Sequence, residues 1–234
     1  VREDQAERWL HYVMSLIGGF LGGYAILNRS GLLGAAQTSN MINTVLNLAG
    51  GSFGDLAIRL GALVLYVSGI VATVLIPRYT RWDLKNVSLA LDAAAVMILG
   101  FLPQGMDNML ALYPLFFALS VQWCTFQGCR GYASATVFST NNLRQFATAV
   151  AAFYFGREEK MREKIKFYGA TLTAFHLGVA ASWPCCNLAG VKSAWICLAP
   201  LAVAGYLAAA GRSEEGVKIC ECRGKRAKVR GLAG

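Results

Sequence analysis

Gln37-Thr38-Ser39-Asn40 and Ser139-Thr140-Asn141-Asn142 are the two stretches on which the fold turns, because each sets a cluster of hydroxyls and amides inside otherwise apolar sequence. Aligning Thr38 with Thr140 brings Asn40 against Asn142 and Met41 against Leu143. A short helix-forming run follows each phrase, Ile42 to Ala49 and Arg144 to Phe155, and glycine stops it at Gly50-Gly51 and at Gly156. Polar groups in an apolar chain cost free energy unless they are hydrogen-bonded or used. A repeated cluster of them therefore marks a duplicated architecture and a place to look for function.

Around these phrases the chain reads as a membrane sequence. Of 234 residues, 56% are hydrophobic and 15% charged, and the mean hydropathy is positive, outside the range of ordinary soluble domains. Six apolar runs stand out: Trp9 to Leu27, Leu60 to Ile76, Val87 to Leu102, Met109 to Trp123, Phe167 to Trp183 and Val191 to Ala210. Each is roughly 15 to 20 residues, about what a hydrocarbon core requires once flanking residues are counted. The first run is expected to be a span rather than a cleaved signal. Arg2, Glu3, Asp4, Glu7 and Arg8 precede it and no convincing cleavage site follows.

The net charge of +9 would point to nucleic acid in a soluble protein, but these basic residues lie in the loops and the tail between apolar runs. The positive-inside rule accounts for them, so the expected partner is the lipid bilayer and no nucleic-acid partner is expected. Of the seven cysteines, Cys124, Cys129, Cys185, Cys186 and Cys197 lie in or beside apolar runs, where cysteine behaves as a small hydrophobe. Cys220-x-Cys222 sits in the polar tail, and two thiolates do not close a zinc site. With no ligand cluster, no nucleophile beside a base and no paired carboxylates, neither a cofactor nor an enzymatic activity is expected.

The segments after the two phrases decide the topology. A helix from Thr38 to Ala49 rises about 18 Å, too little for a core of about 30 Å. It carries Asn40, Asn43 and Asn47, while its counterpart carries Asn141, Asn142, Arg144 and Gln145. If both segments cross, either the loop with Arg78, Arg81 and Lys85 or the loop from Arg157 to Lys166 together with the tail falls on the wrong side. If both are re-entrant, six spans remain and every strongly basic loop, the tail and both termini lie in the cytoplasm. A seven-span form, in which the first segment alone crosses and the N-terminus lies outside, is the alternative. Three spans per half is an odd number, so the halves are inverted relative to each other.

The expected fold is thus all-α and polytopic: a first repeat over residues 1–103 with half-helix 38–49, a second over 104–211 with half-helix 140–155, and a basic cytoplasmic tail over 212–234. An extended chain from Gly31 to Ala36 spans about 20 Å, enough to descend to the midplane. Gly131 to Phe138 does the same from the opposite face. Two half-helix N-termini would then meet there, each with free N–H groups and a positive dipole end.

Gly18-Gly19-Phe20-Leu21, Tyr24, Arg29 and Ala36-Gln37-Thr38-x-Asn40 resemble the first signature of the YoaK-like family of bacterial multi-pass membrane proteins, a family without an assigned function. Gln122, Phe126, Gly131-Tyr132-Ala133, Ala135-Thr136 and Thr140-x-Asn142-Leu143-Arg144 resemble its second, in the same order and spacing. The resemblance implies about six helices in the bacterial inner (plasma) membrane and brings no substrate. Gly22-Gly23 stands where the family usually has a carboxylate in the first helix, Ser39 and Asn141 stand where it usually has glycine, and Gln127 where arginine is common.

The functional expectation is a transporter or channel for a small polar solute, its path lined by Gln37, Thr38, Asn40, Thr140, Asn142 and Arg144. Capping is the structural alternative for the two asparagines. Arg144 opposes the dipole of its own helix, which points to an anionic or carbonyl-rich solute, the repulsion of cations or an acid, with Asp92 the best-placed acid; snorkelling to the cytoplasmic interface is the structural alternative. Asp92 and His176 are candidate titratable groups within apolar runs, and a histidine bonded to a neighbouring helix is the plainer reading of His176. The glycines are expected to permit close helix packing, and Gln122 to bond across helices. The other function considered is a membrane scaffold whose basic tail binds anionic lipid or a partner. Homo-oligomers are compatible with either.

Overall fold

The computed structural model describes residues 2–29 and 37–211. The descent expected over Gly31 to Ala36 and the basic tail over 212–234 lie outside the described residues. The chain is helical nearly throughout: α1 (Arg2–Asn28), α2 (Gln37–Ala49), α3 (Phe53–Tyr79), α4 (Leu84–Phe101), α5 (Asn108–Ala111), α6 (Tyr113–Thr125), α7 (Thr140–Tyr154) and α8 (Met161–Ala189). A 3₁₀ segment, Gly190–Cys197, leads into a last helix over 198–211, called α9 here. Between α6 and α7 lies a small hairpin, β1 (Gly128–Cys129) and β2 (Tyr132–Ala133). Its two-residue turn places Arg130 at φ 55° and Gly131 at φ 79°, the left-handed pair that matches the twist of tight hairpins.

Among the described residues, four helical stretches are long and apolar enough to cross a membrane: Gln5–Asn28, Phe53–Tyr79, Leu84–Phe101 and Met161–Gly211. The last holds two of the six apolar runs, with Gly190 at φ 54° between them. Met109 to Trp123 is broken at Leu112, just before Pro114, so α5 and α6 are each too short to qualify alone. The flanks of these helices carry large apolar side chains in the open, among them Val64, Val74, Phe101, Trp183 and Leu188. So much exposed apolar surface has no place in water. The protein is a helical membrane protein.

The helices are threaded between the halves. Down the length of α1 and α8, His11 stacks on Phe167 with ring centroids 5.4 Å apart, Gly19 abuts Phe175, Gly23 abuts Ser182, and Asn28 Nδ2 reaches Cys186 Sγ at 3.1 Å. The two helices therefore run parallel. A Cβ on Gly19 would be driven into the Phe175 carbonyl, and one on Gly178 into that of Leu16, so both backbones touch only because neither site has a side chain. In the same way α3 runs parallel to α6: Tyr113 Oη donates to the Ile58 carbonyl at 2.6 Å and Gly69 abuts Phe117 and Ser120. Helix α4 runs with α1, joined at their starts by Lys85 and Glu7 at 2.8 Å and at their ends by Arg29 Nη1 to the Pro103 carbonyl at 3.1 Å. The short connection from Thr80 to Asp83 reverses α3 relative to α4. The main core gathers Met14, Ile17 and Leu21 of α1, Val96 and Leu99 of α4, Leu115 and Leu119 of α6, and Leu201 and Ala204 of α9.

Candidate functional site

Helix α2 has 13 residues and α7 has 15, so each rises about 20 Å and neither reaches across a bilayer core. Both start within a residue of where the polar phrases place them. Each folds back beside the long helix that follows it, α2 on α3 and α7 on α8. Since α3 and α8 point in opposite directions, so do α2 and α7, and their N-termini face one another.

Between those N-termini lies a cavity of about 640 Å³. Gln37, Thr38 and Met41 of α2 line one side, and Thr140, Asn141 and Arg144 of α7 the other. Tyr66 of α3, Trp123 of α6 and Phe138 complete the wall. The three rings form a continuous aromatic surface, with Tyr66 and Trp123 at 6.4 Å and Trp123 edge-on to Phe138 at 5.6 Å. Neither helix has an acidic residue in its first turn, and Ser139 makes no capping bond to α7. Positive dipole ends thus meet at the cavity without a nearby carboxylate among the lining residues.

The structure brings together Gln37, Thr38, Thr140 and Arg144 of the expected path. Asn40 and Asn142, also expected on it, are buried behind the cavity and are not among its described lining residues. Neither caps its helix. Asn142 turns back into the preceding loop, where Oδ1 accepts from Ser134 Oγ at 2.9 Å and from the Ala135 N–H at 3.3 Å. Its Nδ2 donates to the Ala135 carbonyl at 2.7 Å and to that of Phe138 at 3.2 Å. Asn40 Nδ2 donates to Gln37 Oε1 at 3.1 Å and to the Arg59 carbonyl at 3.3 Å, and its Oδ1 accepts from Arg59 Nη1 at 3.4 Å.

Arg144 is exposed at the cavity, with one Nη2 donation to Asn141 Oδ1 at 2.9 Å. Asp92 does not meet it: the carboxyl is fully buried on α4, and neither oxygen has a hydrogen-bond partner. Ser88, one turn earlier, is likewise buried and unpartnered. His176 lies on the outer surface of α8 and bonds within its own helix, Nδ1 to the Leu172 carbonyl at 2.7 Å, rather than to a neighbouring one. Gln122 bonds across helices as expected, donating to the Met14 carbonyl at 3.1 Å and to Thr136 Oγ1 at 3.0 Å. Among the described residues no group of three or more His, Cys, Asp or Glu is placed to hold a metal ion.

Sequence reasoning passed over several residues that build this region. His11 Nε2 bonds to Ser134 Oγ at 2.9 Å, and Tyr168 Oη donates to the Ala133 carbonyl at 2.7 Å. Together with Gln122 they fix the loop before α7 to α1, α6 and α8. His11 and Arg59 are polar residues at or inside apolar runs, a signal that was present in the sequence. Tyr66, Trp123 and Phe138 carried none, because an aromatic in a span is ordinary.

No curated protein and no solved structure matches the chain. A family profile matches residues 10–207, nearly all of the helical part described above. The chain belongs to the family described as "Protein of unknown function (DUF1275)".

Proposed function

We propose that the protein is a transporter or channel for a small polar solute in the bacterial inner membrane, with the solute held where α2 and α7 begin. The observation that carries this reading is the meeting of two opposed half-helices at one cavity. Half-helix ends at a cavity are a recurrent way to bind polar solutes in membrane proteins, because unpaired N–H groups and dipole ends are available there at no cost in new chain.

The architecture supporting it is two inverted repeats, residues 1–103 and 104–211, each of three spans and one half-helix, with both termini in the cytoplasm. The exchange of partners between halves fits that plan. The first helix of the first half packs on α8 of the second, and the first helices of the second half pack on α3 of the first. Gly178 and Gly69 occupy equivalent places in these two contacts.

Two measurements test the proposal. In a cysteine-free background, Ser52→Cys should react with an impermeant thiol reagent from outside the cell, and Thr80→Cys from inside alone. Gln5→Cys, near the start of α1, should likewise react from inside alone, and its labelling from outside would favour the seven-span form, in which the N-terminus lies outside. Purified protein screened against metabolites by thermal shift should be stabilised by its solute, because a ligand of the folded state raises apparent stability. That solute should accumulate in proteoliposomes containing the protein. A solute that binds but does not cross, or a screen with no stabilising compound, favours the scaffold.

A further inference from the structure

We propose that the cavity between α2 and α7 selects organic anions, specifically a carboxylate carried on a flat apolar body. This rests on the solute-site reading above and adds to it the chemical class of the occupant.

The polarity of the site is set by Arg59. A guanidinium has donors and no acceptors, so Asn40 must turn its Oδ1 toward Arg59 Nη1 (3.4 Å) and its Nδ2 away. That Nδ2 meets Gln37 at 3.1 Å, so Gln37 must present Oε1 to it. The other end of the Gln37 amide is then necessarily its NH₂ group. Gln37 is 9% exposed and lines the cavity, and its Nε2 has no hydrogen-bond partner. A buried donor without an acceptor is unfavourable, and a rotation of the Gln37 side chain that brings Nε2 to the cavity would let an occupant bearing an acceptor answer it. The row of bonds that starts at a cation on α3 thus ends in an unpartnered amide NH₂, buried on a residue that lines the cavity.

The opposite wall agrees. Arg144 uses one Nη2 donation on Asn141, and a guanidinium in this setting has further N–H groups suited to a planar carboxylate. Thr38 and Thr140 add hydroxyls from the two helix starts. No described lining residue is acidic, so a cation would meet repulsion from Arg144 and no compensating charge. The remainder of the lining is the Tyr66, Trp123 and Phe138 surface, which suits a flat apolar group. A small polar anion such as acetate would leave that surface unused.

The test is equilibrium binding to the purified full chain in detergent, with phenylacetate, acetate, benzyl alcohol and phenylethylamine as probes. Phenylacetate should bind saturably and the other three at least about tenfold more weakly, the loss expected when a charged hydrogen-bonded contact or the apolar body is removed. Arg144→Gln, at an exposed position, and Gln37→Glu, which replaces the free donor with an acceptor, should each weaken phenylacetate by about tenfold at unchanged melting temperature. Gln37→Met serves in place of Gln37→Glu if the latter does not fold. Preferential binding of phenylethylamine or benzyl alcohol, equal binding of acetate, no binding of phenylacetate, or binding indifferent to both substitutions overturns the proposal. The transport reading fails separately: phenylacetate that binds as expected yet does not enter proteoliposomes refutes transport and leaves the selectivity standing.

Discussion

The two polar phrases begin alike and end differently. In the second half a chain of bonds runs from His11 through Ser134 to Asn142 and closes on the protein's own backbone at Ala135 and Phe138. In the first half a chain runs from Arg59 through Asn40 to Gln37, a residue of the cavity lining, and stops there with a buried donor unused. The closed chain has short contacts and further ties through Tyr168 and Gln122. The open one has longer contacts and a single helix behind it. Of two similar phrases, one closes on backbone and the other leaves a donor without a partner.

Asn142→Leu is the severest way to break this contrast. It leaves the Ser134 hydroxyl with His11 alone and strands the Ala135 N–H and two carbonyls in a buried place, and each stranded group costs about 1–3 kcal/mol, so a loss on the order of 3 kcal/mol or more is expected. Apparent melting temperature reads it, and a variant that melts with the parent chain would show that the second phrase anchors nothing. Asn40→Leu should cost about 1 kcal/mol in stability, since interhelical bonds of this length in membrane proteins contribute little each. It should nevertheless lower solute affinity by about tenfold, because Gln37 loses the partner that orients it. Equal melting losses for the two leucine variants would erase the distinction between them.

Smaller effects sharpen the picture. Tyr168→Phe removes one bond to the Ala133 carbonyl and should lower stability by about 0.5–1 kcal/mol without changing affinity. A fall in affinity would mean that the loop before α7 adjusts with the solute. His176→Gln, on the outer face of α8, should stay within about 0.5 kcal/mol of the parent and leave uptake unchanged. Loss of uptake in that variant would place a proton-carrying role at a surface the geometry leaves outside the site.

The sequence made the half-helices legible almost to the residue, because length, polar content and stopping glycines are local properties. It also made the close glycine contacts legible as a class, though not which backbones they join. What it could not show was direction of side chains within a polar phrase. Asn40 and Asn142 look like pore residues when read along the chain, yet the neighbours that claim them, Arg59 and Ala135 among others, come from helix packing and loop return. Arg144 and Asp92 could be paired on paper as the cation and acid nearest the middle of the spans. In the fold one is exposed on α7 and the other is buried on α4 without a partner. Arg29 was prominent in sequence only through the family signature, and it proves to be a fully buried cation held by the carbonyls of Pro103 and Gln104.

The packing of α1 on α8 sets the order in which the molecule can be completed during synthesis. Gly19 and Phe175 touch, so roughly 150 residues of chain must emerge between them, which at about 5–20 residues per second takes on the order of ten seconds. Throughout that interval the side of α1 that bears Gly19 and Gly23 has no final partner. Helix α1 meets α4 and the loop before α7 first, and its glycine seam stays open until α8 arrives. A chain halted after the first half would be an unfinished surface rather than half a protein.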